Sequence, residues 1–171
     1  RPAPAPRGRP SGASAGAGEG SATATGRRGT AGDAAPRAGV AGRNVGDREA
    51  RDAAMAEWLE SRGVELVVCA GYMQLLTPSF LERFPRRVVN VHPAPLPEFP
   101  GPHPLEDVLA SGVSTAAATV HYVDEGVDAG DVIASESVPV LEGDTVGTLR
   151  ERVHEVEHWL LPKVVRGLCA R

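Results

Sequence analysis

Apolar residues recur with helical spacing along residues 48–62, and Arg and Glu residues fill most positions between them. One apolar face on such a segment predicts an amphipathic helix. Asp47 precedes the segment and can cap its first turn, and Gly63 follows it as a stop. The apolar face consists of Ala50, Ala54, Trp58 and Leu59.

Residues 64–70 are apolar almost without a break, and residues 87–92 predict a second buried strand that Pro93 stops. Strands of this kind are typical of parallel sheets that are covered on both faces. Between them, Thr77 and Pro78 predict a helix start, because proline fits the first turn of a helix. Helix and strand therefore alternate in this part of the chain.

Residues 93–104 hold six prolines and predict an irregular loop. After it we predict a short helix over 104–111 that ends at Gly112. Two further strands are predicted over 115–123 and 131–140.

The last predicted element is a long helix that opens at Asp144, and Pro162 should kink it or end its first part. Its apolar stripe consists of Leu149, Val153, Val156, Leu160 and Val164. Together these elements predict an α/β fold, an incomplete Rossmann-like open sheet, over residues 46–171.

Residues 1–45 have a different composition, with 12 Ala, 10 Gly, 7 Arg, 5 Pro and 3 Ser and no Leu, Ile, Met, Phe, Tyr or Trp. Such a segment cannot bury enough apolar surface to offset its conformational entropy, so we predict that it is disordered. This segment contains seven Arg and only two acidic residues, Glu19 and Asp33. Its net charge is therefore +5, and the remaining residues carry −9.

This balance excludes several classes of function. An acidic domain lacks the basic surface of a general nucleic-acid binder. No run of 18 apolar residues occurs, so we expect no membrane span. Cys69 and Cys169 are too few for a disulfide framework or a four-cysteine zinc site, and we expect no metal. Cys69 lies in an apolar run and is expected to be buried.

Asn90 and His92 form the first candidate site. Side chains alternate along a strand, so both point to one face. They lie at the carboxyl end of a strand, where ligands bind in open α/β sheets. The amide can donate to a developing oxyanion and the imidazole can donate a proton. The alternative is a structural pair at a strand end.

The acidic, glycine-punctuated stretch 124–130 forms the second candidate. A carboxylate from this loop near His92 would stabilise the imidazolium and orient the ring. The alternative is an ordinary surface turn.

The two stretches together resemble the folate-dependent formyltransferases, and most closely their glycinamide ribonucleotide branch. The resemblance is carried by Asn-x-His-Pro-x-x-Leu-Pro-x-x-Pro-Gly and then His-Tyr-Val-Asp-Glu-Gly-Val-Asp-Ala-Gly, and it covers residues 46–166. It implies that Asn90, His92 and Asp128 form the catalytic triad.

The resemblance also implies binding residues. Arg48 matches an arginine of the folate site, and Asn90 also contacts the folate in this reading. Glu157 matches the acidic residue that holds the ribose hydroxyls, and His103 ends the loop after Pro100 and Gly101. The folate-contacting turn matches Met73, Gln74, Leu75 and Leu76.

The implied reaction transfers a formyl group from 10-formyltetrahydrofolate to the amine of glycinamide ribonucleotide, in de novo purine biosynthesis. Asn90 and protonated His92 would stabilise the oxyanion, His92 would protonate the departing folate nitrogen, and Asp128 would support the imidazolium. The partners are then small molecules, with no metal. A cytoplasmic location is expected, and the oligomeric state stays open.

Two alternatives remain. One is a formyltetrahydrofolate deformylase or another formyltransferase with the same chemistry. The other is a truncated, non-catalytic, folate-binding remnant, because residues 1–45 show no counterpart of the family's first strand and Gly-Ser-Gly phosphate loop. Gln74 also replaces a common Arg, and Pro95 a usual Leu.

The remaining His and Trp residues have simpler interpretations. His121, within a predicted strand, is expected to be structural or to support the site. His154 and His158 are expected on a helix surface, and Trp58 and Trp159 in the core.

Overall fold

The computed structural model describes residues 21–26, 37–38 and 45–170. Its strands are β1 Ser21–Gly26, β2 Arg37–Ala38, β3 Val64–Ala70, β4 Val88–His92, β5 Thr115–Tyr122 and β6 Val132–Pro139. Its helices are α1 Val45–Glu60, α2 Pro78–Leu81, α3 Pro104–Ser111 and α4 Val146–Cys169.

The strands form one open sheet in the order β2-β1-β3-β4-β5-β6. Strands β3 and β4 are parallel, and the other neighbouring pairs are antiparallel. The predicted α/β fold with an open sheet is therefore confirmed. The parallel pair is joined through α2, so both of its carboxyl ends lie at one edge of the sheet.

The structure differs from the predicted disorder of residues 1–45 at Ser21–Gly26, at Arg37–Ala38 and at Val45, where α1 begins. Strand β1 pairs antiparallel with β3. The edge of β3 offers a row of backbone N–H and C=O groups, and an extended segment can bond to them without apolar side chains. The rest of the predicted disorder lies outside the described residues.

The sheet is covered on both faces, as the continuous apolar runs predicted. One core lies between the sheet and helices α3 and α4, and the other lies against α1 and α2. Neighbouring residues of β4 divide between them, since Val89 belongs to the first core and Val88 to the second. Cys69 is 3% exposed and belongs to the second core, which confirms its predicted burial.

The ends of two helices differ from their predictions. Helix α1 begins at Val45, so Asp47 lies inside it instead of capping it. Helix α4 is capped by Thr145, one residue after the predicted Asp144, because Thr145 and Thr148 exchange side-chain and backbone hydrogen bonds. Asp144 instead pairs with Arg152 at 2.9 Å.

Helix α4 continues past Pro162 to Cys169, so of the two effects predicted for the proline, a kink or an end, the helix does not show the end. Pro162 deprives the His158 carbonyl of its helical donor, and His158 lies on an exposed part of the helix where water can replace that donor. Trp159 is 44% exposed rather than in the core, with Lys163 over its ring. Trp58 is half-buried and packs against the α1/α2 core.

A buried ion pair joins α1 to the turn that follows β3. Arg51 Nε donates to Asp52 Oδ1 over 2.7 Å, and both side chains are almost fully buried. Asp52 Oδ2 accepts the backbone N–H of Thr77 over 2.7 Å, and Arg51 Nη2 reaches the Leu75 carbonyl. The pair therefore fixes the end of the turn against the helix.

We expect Asp52→Ala to lower the free energy of unfolding by about 3–5 kcal/mol, because Arg51 loses its counter-charge in the interior and Thr77 loses its acceptor. Denaturant unfolding measures this loss. Glu60→Ala is the control, because it breaks the exposed pair with Arg83 and should cost less than about 1 kcal/mol. Equal losses in the two variants would contradict the assigned role of Asp52.

Candidate active site

A cavity of about 840 Å³ opens at the carboxyl ends of β3 and β4. Its size is within the range of small-molecule sites, roughly 300–1,000 Å³. Its walls come from residues 69–76, from residues 90–93, from the loops around Gly101 and Asp128, and from one face of α4. The parallel pair thus places the cavity where open α/β sheets bind ligands.

The pairing of β4 with β5 positions Asn90. Asn90 lies directly opposite His121, and His92 lies opposite Thr119. Side chains of opposite residues share a face, so Asn90, His92 and His121 form one polar cluster at the cavity. The Asn90 amide Nδ2 lies 3.2 Å from His121 Nε2.

His92 is 4% exposed, and the protein contacts both of its ring nitrogens. Nε2 lies 2.7 Å from the Phe99 carbonyl oxygen. A carbonyl can only accept, so Nε2 carries a proton and donates. Nδ1 lies 3.5 Å from Asp128 Oδ2 and is the nitrogen left for proton exchange.

Asp128 joins three parts of the site. Its Oδ2 accepts the Gly101 N–H over 2.9 Å, and its Oδ1 lies 3.5 Å from His121 Nε2. Burial alone would raise the pKa of the Asp128 carboxyl. His121, when its Nε2 carries a proton, the Gly101 N–H and the charge of a protonated His92 lower that pKa below its ordinary value. Asp128 is therefore a carboxylate at neutral pH.

The loop that carries Asp128 is closed at its base by backbone contacts. The Tyr122 N–H donates to the Asp131 carbonyl over 2.9 Å. A Cβ on Gly130 would lie 1.9 Å from the Tyr122 carbonyl oxygen, so only glycine allows this approach. Asp128 itself has a φ of 51°, in the left-handed region that side chains seldom adopt.

The cavity brings together most of the site residues that were predicted from the sequence. Asn90, His92, Asp128 and Glu157 line it, as does the whole turn 73–76. Arg48 and His103 are not among its lining residues. Arg48 is half-buried on α1, and His103 is exposed at the position before α3.

Glu157 enters the cavity from α4, with a side chain that is 15% exposed. Burial raises the pKa of its carboxyl to about 7. His154 Nε2 lies 3.7 Å from Glu157 Oε2.

Sequence reasoning missed three cavity residues on α4, namely Arg150, His154 and His158. The two histidines are exposed, as predicted, but that exposed face forms a cavity wall. The spacing of four residues from Arg150 to His154 to His158 places all three on one helix face. This four-residue spacing, together with the predicted binding residue Glu157 on the same helix, is the sequence signal that could have identified these three cavity residues.

The part of the chain that the structure describes contains no group of three or more His, Cys, Asp or Glu side chains arranged to hold a metal ion. Among the same residues, no helix combines the length and apolar character needed to cross a membrane.

Comparison with known proteins gives a family. Residues 19–165 match the family model described as formyl transferase. The chain belongs to the formyl transferase family. The family match begins upstream of residue 46, where the resemblance read from motifs starts, and it includes β1.

The individual proteins that this chain resembles are consistent with this family assignment. A phosphoribosylglycinamide formyltransferase of Mycobacterium tuberculosis is 47% identical over 122 residues, which are 71% of this chain and 57% of that protein. A trifunctional purine biosynthetic protein of Bos taurus is 40% identical over 139 residues, which are 78% of this chain and 14% of that protein.

Among solved structures, glycinamide ribonucleotide transformylase 1 from Symbiobacterium toebii has a TM-score of 0.70 and 47% identity, covering 72% of this chain and 58% of that one. This formyl transferase chain therefore spans less than two thirds of the length of these relatives.

We expect Gly130→Ala to lower the free energy of unfolding by about 1–3 kcal/mol, because the new methyl group meets a backbone atom that cannot move independently. Denaturant unfolding measures the loss. Gly167→Ala within α4 is the matched control, since its Cβ would meet no atom within 4 Å and should stabilise the helix by up to about 1 kcal/mol. A Gly130 variant as stable as the control would show that the close approach is absent.

Glu157 should make stability depend on pH. The folded chain keeps this carboxyl proton to about pH 7, whereas the unfolded chain releases it near the ordinary value of 4.5. Between these values the folded state binds more protons, so stability falls as pH rises through the window. Glu157→Gln should remove this fall.

Urea unfolding at a series of pH values from 4 to 8 tests the expectation. As the pH rises from about 4.5 to about 7, the free energy of unfolding of the wild type should fall relative to that of Glu157→Gln. Glu155→Gln, at an exposed position of the same helix, is the control. Parallel pH curves for wild type and Glu157→Gln would show that the carboxyl titrates alike in both states.

Proposed function

We propose that this chain transfers a formyl group from 10-formyltetrahydrofolate to the amine of glycinamide ribonucleotide, a step of purine biosynthesis. The observation that carries the proposal is the convergence of Asn90, His92 and Asp128 in one cavity. The names of the relatives, phosphoribosylglycinamide formyltransferase and trifunctional purine biosynthetic protein, support it.

The cavity suits a flat, partly aromatic donor. Met73, Leu75 and Val127 line it and are 69%, 48% and 51% exposed, so apolar surface is available to a ring system. Burial of that surface would favour binding by about 25 cal/mol per Å². We assign Met73, Gln74, Leu75 and Leu76 to the folate side of the cavity on this ground.

The α4 wall suits the nucleotide. Glu157 presents a carboxyl group that can accept hydrogen bonds from ribose hydroxyls. Arg150, His154 and His158 lie on the same wall and can face a phosphate. Arg150 lies 4.0 Å from Glu106 in an exposed pair and keeps donors for an anion.

The polar cluster supplies the chemistry. The amine of the nucleotide attacks the formyl carbon, the new C–N bond forms, and the bond from that carbon to the folate nitrogen breaks. An N–H of Asn90 donates to the formyl oxygen as negative charge develops on it. The proton lost by the amine reaches the departing folate nitrogen through Asp128 and His92 Nδ1, and the Asp128 carboxylate stabilises the protonated ring.

Formyl transfer by the purified chain tests the proposal. The chain receives 10-formyl folate with and without glycinamide ribonucleotide, and release of the folate is followed by absorbance. Release that depends on the nucleotide is the expected result. Release without the nucleotide would replace the proposal with a deformylase, and no release from a folded chain would leave a non-catalytic folate-binding protein.

We expect Asn90→Ala, His92→Ala and Asp128→Ala each to lower kcat by roughly 10²–10³, the usual cost of losing an oxyanion donor or its support. The absorbance assay measures kcat, and circular dichroism checks that each variant folds. Asp107→Asn, on the exposed side of α3, is the control and should keep wild-type turnover. A variant of the triad with near-normal kcat would remove that residue from the mechanism.

A further inference from the structure

His121 is the most buried polar side chain of the cluster, at 2% exposure, and the mechanism above does not use it. It lies on β5 directly opposite Asn90 and contributes to the cavity wall. Its Nδ1 lies 2.8 Å from the Tyr122 carbonyl oxygen, and its Nε2 lies between Asn90 Nδ2 and Asp128 Oδ1.

The Tyr122 carbonyl decides the tautomer. A carbonyl only accepts hydrogen bonds, so Nδ1 of His121 carries the proton. A neutral imidazole then has a bare Nε2, which can accept one N–H of the Asn90 amide over 3.2 Å. A proton on Nε2 would instead place an N–H of His121 against an N–H of Asn90, and two donors cannot bond to each other. That proton would then point to Asp128 Oδ1, over the longer distance of 3.5 Å.

The orientation of the Asn90 amide follows from this tautomer. Among the described residues, His121 is the side chain that hydrogen-bonds to that amide. With one N–H held on Nε2, the NH₂ end is fixed and its second N–H remains for a ligand in the cavity. Without the acceptor at Nε2, the amide could rotate and present its oxygen to the same ligand.

We propose that His121 is a positioning residue, which in its neutral Nδ1–H form fixes the Asn90 amide so that an N–H faces the formyl oxygen. The inference rests on the proposed formyl transfer, since it names what holds the oxyanion donor of that reaction in place. His121 touches no reacting atom and acts through Asn90.

Two variants separate this role from packing. His121→Phe keeps a ring and removes the acceptor, whereas His121→Gln places an amide oxygen near the position of Nε2. We expect His121→Phe to lower kcat about 10-fold or more with a smaller change in KM, and His121→Gln to restore part of the loss.

A double-mutant cycle with Asn90→Ala makes the test specific. If His121 acts through Asn90, His121→Phe should have almost no effect on kcat in the Asn90→Ala background. Equal losses of kcat in the two backgrounds would overturn the proposal, as would His121→Gln falling as low as His121→Phe.

Nitrogen NMR of the free chain tests the same arrangement without activity. We expect the His121 ring to show the Nδ1–H tautomer at neutral pH and the Asn90 side-chain amide signals to shift in His121→Phe. An Nε2–H tautomer, or unchanged Asn90 signals, would overturn the positioning role. A chain that gives the expected spectra but transfers no formyl group would refute the proposed function alone.

Discussion

The register between β4 and β5 is the constraint on which the rest of the site depends. Strand β4 is buried on both faces, so its residues divide strictly between two cores and one polar cluster. A slip of one residue would turn Asn90 and His92 toward the α3/α4 core and place Val89 and Val91 where the polar cluster now lies. The apolar residues of this strand therefore hold the polar ones in position.

Much of the fold could be predicted from the sequence because the central strands combine buried apolar residues with clear stops. β3, β4 and α3 follow the predicted ranges to within one residue, since each has a clear apolar pattern and a clear stop. The start of α4 was predicted one residue too early, at Asp144, because aspartate is itself a good cap. The hydrogen bonds between Thr145 and Thr148 assign the cap to Thr145, and Asp144 pairs with Arg152 instead.

The candidate site could be predicted only in part. Asn90 and His92 share a strand, so alternation alone places them together. Asp128 is distant in sequence, and its approach depends on the Gly130 contact and on the bond to Gly101, which no periodicity reveals. Arg48 does not line the cavity, because the packing of α1 determines where its side chains lie. A matched motif does not specify that packing.

The bond between Asp128 and the Gly101 backbone has a consequence for how the site meets its ligands. The same carboxylate oxygen faces His92, and His92 is bonded to Phe99 in the loop that also contains Gly101. Two irregular loops are therefore tied to each other through His92 and Asp128. The entropy of ordering these groups is lost during folding, so binding of a ligand in the cavity needs little reorganisation of them.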